Sequence, residues 1–198
     1  MTDNKEIYIS LDIEANGPSP GLYSMLSFGA VAFEIKDKNY LVLDTFYATL
    51  DVLDNSREYP ETMEWWKKFP EMYQETRLNT EHPAIVMAKF DAWINKQAFL
   101  GKIIPVAYPA TYDYKWIDYY LWLFVGRNRM GFACIDIKSF ANAHLKHKHF
   151  ASTSKRNMPK EWFDKDNPHT HNALDDAHEQ AYLFYKMKYD NVYGTNNG

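Results

Sequence analysis

The sequence has one cysteine, Cys134, so it cannot form an intramolecular disulfide. That excludes a disulfide-stapled secreted scaffold, suits a reducing compartment, and leaves Cys134 as a core filler. No segment approaches the ~18 uninterrupted apolar residues of a membrane span. The N-terminus, MTDNKEIYIS, lacks the basic stretch and apolar run of a secretory signal. A soluble, cytoplasmic protein with no membrane partner is expected. Basic excess is missing too: the net charge is -4 and the pI about 6.0. This excludes the broad positive field of a protein that coats long duplexes, while remaining compatible with a short strand end.

What is present is apolar and aromatic. With 198 residues and 46% apolar content the chain can bury one ordinary core. Its 15 Tyr, 12 Phe and 6 Trp are more rings than such a core needs, so some are expected on a binding surface, and a symmetric homodimer is plausible on the same ground.

Residues 6 to 14 alternate, with Ile7, Ile9, Leu11 and Ile13 on one face and Tyr8, Ser10, Asp12 and Glu14 on the other, which predicts a strand with one apolar face. Two more β-rich runs, SMLSFGAVAFEI and NYLVLDTFYATL, follow across short polar turns and complete an antiparallel meander. From residue 60 the period becomes helical. PETMEWWKKF and KFPEMYQETR each start at a proline, and PAIVMAKFDAWINKQ carries a stripe of Val86, Phe90, Trp93 and Ile94. KIIPVAYP reads as a fourth strand, DYKWIDYYLWLFVG as an aromatic helix closed by Gly126, ACIDI as a short fifth strand, and KSFANAHL as a helix. A last helix is expected from Asn172 to Tyr189. The order predicts an α/β domain over residues 1–192, a mixed sheet covered by helices, with 193–198 as a flexible tail. FASTSKRNMPKEWFDKDNPHT reads as a long surface loop.

Asp12 and Glu14 share a strand face roughly 7 Å apart at about 3.3 Å per residue. Two like charges there cost stability unless a cation lies between them, and hard divalent ions prefer carboxylate oxygens. A solvated strand face carrying two acids is the plainer alternative. In HTHNALDDAHEQA, His171 precedes Asp176 by five positions. Five residues of regular helix rotate by about 140°, so the two converge only if His171 sits on the entry loop or first turn. Its working range near neutral pH suits a general base. Acids complementing the helix dipole explain Asp175 and Asp176 but not a His there. Asp113, just past the fourth strand, is placed either as a helix N-cap or as a third site acid, with Asp118 as its competitor.

In order and element type, these residues resemble the DEDDh 3′–5′ exonucleases. DIE, with Asp12 and Glu14, is similar to the first family motif; YDYKW, with Asp113, to the second; and HNALDD, with His171 and Asp176, to the third. Residues 6 to about 190 take part. ANGPSPGLYSMLSFGAV and ETMEWWKKFPE resemble the bacterial and phage exoribonuclease-like branch. Tyr108, Pro109 and Ala110 replace the His-Asn that often precedes the second acid. The resemblance implies an RNase H-like fold with three antiparallel and two parallel strands. It also implies two Mg²⁺ or Mn²⁺ ions about 4 Å apart. Asp12 would bridge them, Glu14 and Asp176 would hold the ion of the nucleophilic water, and Asp113 would support the second. His171 would deprotonate the water, releasing 5′-mononucleotides from the 3′ end of single-stranded RNA, or of DNA by the same chemistry. A catalytically idle nucleic-acid-binding module is the rival from another class.

Trp65 and Trp66 are candidates to stack a terminal base, and helical geometry aims at most one of them at the substrate. Lys146, Lys148, Lys155, Arg156 and Lys160 can follow a phosphate backbone or form a solvated surface. His144, His147 and His149 lack a fixed ligand spacing and read as surface.

Overall fold

The computed structural model describes residues 5–36, 38–167 and 169–193. Three long strands, β1 (Glu6–Ala15), β2 (Met25–Lys36) and β3 (Asn39–Thr49), form the expected meander. Pro60, Pro70 and Pro83 open α1 (Pro60–Trp66), α2 (Pro70–Glu75) and α3 (Pro83–Ala98), each in the first turn, where a missing N–H costs nothing. Strand β4 (Lys102–Ala107) then pairs parallel with β1, and helix α4 (Asp113–Val125) ends at Gly126, whose φ of 74° is left-handed. Strand β5 is only Ile135–Asp136, parallel to β4, and leads into α5 (Ile137–His144) and, after a long connection, α6 (Ala173–Tyr193).

The sheet order is β3-β2-β1-β4-β5, so β1 is central. Central placement changes one expectation. The strand has two buried faces, not one: Ile7, Ile9, Leu11 and Ile13 pack toward α3 and α4, while Tyr8 joins Val31, Phe33 and Phe184 beneath α6. Asp12 and Glu14 therefore lie in the protein, at the end of the α6 face.

The long connection also differs from a plain surface loop. It winds through three short 3₁₀ turns, Phe150–Ser152, Lys155–Asn157 and Lys160–Trp162, and is pinned by buried Thr153, Met158 and Trp162. Trp162 donates its indole N–H to Asp190 Oδ2 at 2.5 Å, and Thr153 Oγ1 meets Asn142 and His147 at 2.8 and 3.0 Å. Helix α6 continues to Tyr193, past its expected end; of the expected tail, 194–198 lie outside the described residues. No helix among the described residues is long and apolar enough to cross a membrane.

Candidate active site

Four carboxylates meet at the carboxyl end of β1. Asp12 and Glu14 come from the strand and Asp113 from the first turn of α4, where its Oδ1 accepts the Ile13 N–H at 3.4 Å. The turn before α4 is held by Asp136, which accepts the Ala110 N–H at 2.8 Å and caps α5 through Ser139 at 2.6 Å. Asp118, the competing acid, pairs with Asn128 at 2.8 Å instead.

Asp176 arrives from α6. Asn172 caps that helix, its side-chain oxygen accepting from Leu174 at 3.0 Å, and Asp175 is occupied by the Thr170 hydroxyl at 3.0 Å. The Thr170 hydroxyl thus accounts for Asp175 and leaves Asp176 aimed at the strand acids. Ligand atoms of Asp12, Glu14 and Asp176 lie within 4.8 Å of one another. Gly29 permits this approach: it is opposite Asp12 in the β1–β2 register, and a Cβ there would be 2.3 Å from the Ala173 carbonyl oxygen.

Burial, then the charges of Asp113 and Asp176, hold the Asp12 carboxyl well above the usual carboxylate range. Glu14 is raised by burial and then by Asp12 and Asp176, and Asp113 by burial, with Glu14 adding to it and the Ile13 N–H opposing. Asp113 Oδ2 is buried without a hydrogen-bond partner among the described residues. A crowded, mutually repelling, all-oxygen set with an orphaned carboxylate oxygen fits hard divalent cations.

His171 stands on the entry loop, as its spacing from Asp176 requires, with a φ of 63°. Its backbone N–H donates to Asp176 Oδ2 at 3.2 Å, while the Thr170 N–H takes Oδ1 at 2.9 Å. The ring is boxed by Phe69, His169 and Trp65, at centroid distances of 4.4, 4.5 and 5.0 Å. Burial first, and the His169 charge second, pull the His171 imidazole below its ordinary value.

The two tryptophans part company. Trp66 is 2% exposed and donates its indole N–H to the Ala15 carbonyl at 3.0 Å, so it braces α1 on the end of β1. Trp65 lines a cavity of about 370 Å³ with Glu14, Ala15, Glu61, Thr62 and Tyr112. Of the basic cluster, Lys155 reaches the site: it binds Glu179 and lies 5.3 Å from the centroid of the Tyr108 ring. His144 and His147 are engaged with Trp162 and Thr153.

Sequence reasoning missed His169 and Gln180. Gln180 Nε2 donates to Asp12 Oδ1 at 2.6 Å, and His169 Nδ1 lies 2.9 Å from Asp176 Oδ1 and 3.5 Å from Glu179 Oε2. Those two carboxylates, Asp176 first, raise the His169 imidazole to about 10. Gln180 had a readable signal, since it follows Asp176 by one helical turn and so shares its face.

The family model described as 3′-5′ exoribonuclease Rv2179c-like domain matches residues 7–187. The Escherichia coli 3′-5′ DNA exonuclease Cap18 is 32% identical over 195 residues, covering 93% of this chain and 92% of Cap18. The fold is similar to the nuclease domain of 3′hExo, a DEDDh family member bound to rAMP, with a TM-score of 0.71 at 15% identity over 96% of this chain and 95% of that one. It is also similar to S. pombe Pop2p in its Mg²⁺- and Mn²⁺-bound form, with a TM-score of 0.56 at 14% identity over 96% and 86% of the two chains. With its acids gathered in the order DIE, YDYKW, HNALDD, the chain belongs to the DEDDh 3′–5′ exonucleases, in their Rv2179c-like branch.

Proposed function

We propose that this exonuclease removes 5′-mononucleotides from the 3′ end of single-stranded RNA. Asp12, Glu14, Asp113 and Asp176 would hold two divalent cations, Mg²⁺ or Mn²⁺. When bound, the ions supply charge neutralisation for the carboxylates and for the entering phosphate. His171, kept neutral by its surroundings, takes a proton from water; that oxygen bonds to phosphorus while the bond to the leaving 3′ oxygen breaks. The leaving oxygen is protonated by solvent.

The observation that carries the substrate reading is the cavity beside Glu14. At about 370 Å³ it has the scale of a nucleotide site, with Trp65 on one wall for stacking and Glu61, Thr62 and Tyr112 as polar groups in its lining. Those groups can recognise a 2′-hydroxyl, which separates RNA from DNA. The second reading, DNA 3′ ends, is favoured by the similarity to Cap18, a 3′-5′ DNA exonuclease. A gel time course with 5′-labelled RNA, DNA, and DNA ending in one ribonucleotide separates them. Faster laddering on RNA and on the chimera than on DNA is expected; equal or faster loss of DNA would transfer the assignment to the second reading.

Trp65→Ala is expected to lose roughly 1–3 kcal/mol of substrate stacking, seen mainly as a higher KM. Unchanged KM and kcat would remove Trp65 from the substrate site.

The acid limb of kcat/KM is expected below about 6.5, the ordinary imidazole value. His169→Asn removes a positive neighbour, so protonation of His171 becomes easier and the limb moves to higher pH. A limb that stays in place in this variant would argue against His171 as the base.

A further inference from the structure

His169 is outside the four-acid set, yet it is built into the site. Glu179 approaches it from α6 and is itself bound by Lys155, whose side chain is mostly covered. The His169 and His171 rings meet at 4.5 Å with their planes at 80°. One donor atom from each of His169, His171 and Asp176 lies within 4.8 Å of the other two.

Two imidazoles and one carboxylate are the wrong ligands for Mg²⁺, which prefers oxygen and water in octahedral geometry. They are three of the four positions of a tetrahedral Zn²⁺ site, with bonds of about 2.0–2.2 Å. The Glu179 carboxylate, held by Lys155, supplies for His169 the outer support that orients a ligating histidine.

We propose that His169, His171 and Asp176 form a Zn²⁺ site separate from the one faced by Asp12, Glu14 and Asp176, and that filling it switches hydrolysis off. The zinc ion displaces a proton from His169 to solvent and takes the His171 lone pair that would receive the water proton. It also draws Asp176, which both sets share, away from the oxygen-only set. Zinc is therefore an inhibitor of the Mg²⁺-supported reaction, relieved by a nitrogen-donor chelator that takes zinc and leaves Mg²⁺. Only this inhibition rests on the reading of His171 as base.

The test is zinc binding itself, measured by competition with a chromophoric chelator on the full chain. An Asp12→Asn background weakens the oxygen-only set and isolates the other. On it, zinc should still bind with one equivalent, and adding His169→Asn, which retains a hydrogen-bond donor beside Asp176, should weaken binding at least about tenfold. Anomalous scattering at the zinc edge should place the ion between the two histidines. Equal zinc affinity with and without His169, or a peak confined to Asp12 and Glu14, would overturn the proposal whatever the nuclease acts on. In the activity arm, the zinc concentration for half inhibition should rise at least about tenfold in His169→Asn alone.

Discussion

An Asp12→Asn variant is expected to lose hydrolysis by roughly 10³-fold or more and yet, without metal, to melt higher than the parent protein. Both effects have one cause. Asp12 is buried at the centre of the carboxylate set, with the charges of Asp113 and Asp176 raising its affinity for a proton. A carboxyl whose folded-state value is raised opposes folding once it ionises, and this penalty fades as pH falls and the group is protonated in both states. Asparagine keeps the shape and the oxygen that accepts from Gln180 but carries no charge. The gain therefore grows as pH rises above the ordinary carboxylate range and vanishes in acid. Each unit of displacement is worth about 1.4 kcal/mol, and a chain of this length shifts by about 2–4 °C per kcal/mol. Divalent metal is expected to narrow that difference by stabilising the parent more than the variant. At a hundredfold excess over Kd it would stabilise the parent by about 2.7 kcal/mol, while the variant, without one of the four proposed ligands, should respond less. Thermal melts of both proteins with EDTA or Mg²⁺ at several pH values check this. Identical melts, with or without metal, would mean that the carboxylates neither repel one another nor share a cation.

The acids were legible because their meaning is carried by short-range periodicity. Strand alternation puts Asp12 and Glu14 on one face, and a five-residue offset puts His171 on a loop; the structure has both. The five strands and their order of appearance follow from similar local signals. What escaped depends on contacts distant in the chain. That β1 is buried on both faces depends on α3 and α4 covering one and α6 the other, and α6 lies about 160 residues further on. Trp65 and Trp66 are adjacent in sequence; the Ala15 carbonyl decides which is brace and which is wall. The connection before His171 looked like surface because it is rich in Lys, Asn and Ser. Of its few apolar residues, Met158 and Trp162 are the buried anchors, and Lys155 is tied down by Glu179. His169 went unnoticed because its partners, Asp176 and Glu179, are gathered only when α6 docks.

That docking is the basis of the second large expected effect. Gly29→Ala should lower kcat by about 10²-fold with a stability loss of about 1–3 kcal/mol. The added Cβ would lie 2.3 Å from the Ala173 carbonyl oxygen and 2.5 Å from the Leu174 Cα, both backbone atoms of the first turn of α6. Neither can rotate aside as a flexible side chain can, so helix and sheet must separate. The same turn is flanked by His171 and Asp176, while Asp12 is directly across the β1–β2 register from Gly29. Separation therefore opens the acid set along the line that joins its strand half to its helix half. Gly126→Ala is the control. Its φ of 74° strains any other residue by about 1–2 kcal/mol, but a Cβ there meets nothing within 4 Å, and it lies at the end of α4 away from Asp113. Both variants should melt lower, and only Gly29→Ala should lose turnover. Equal loss of turnover in the two would tie activity to stability in general, and full turnover in Gly29→Ala would show that the sheet gives way while the helix keeps its place.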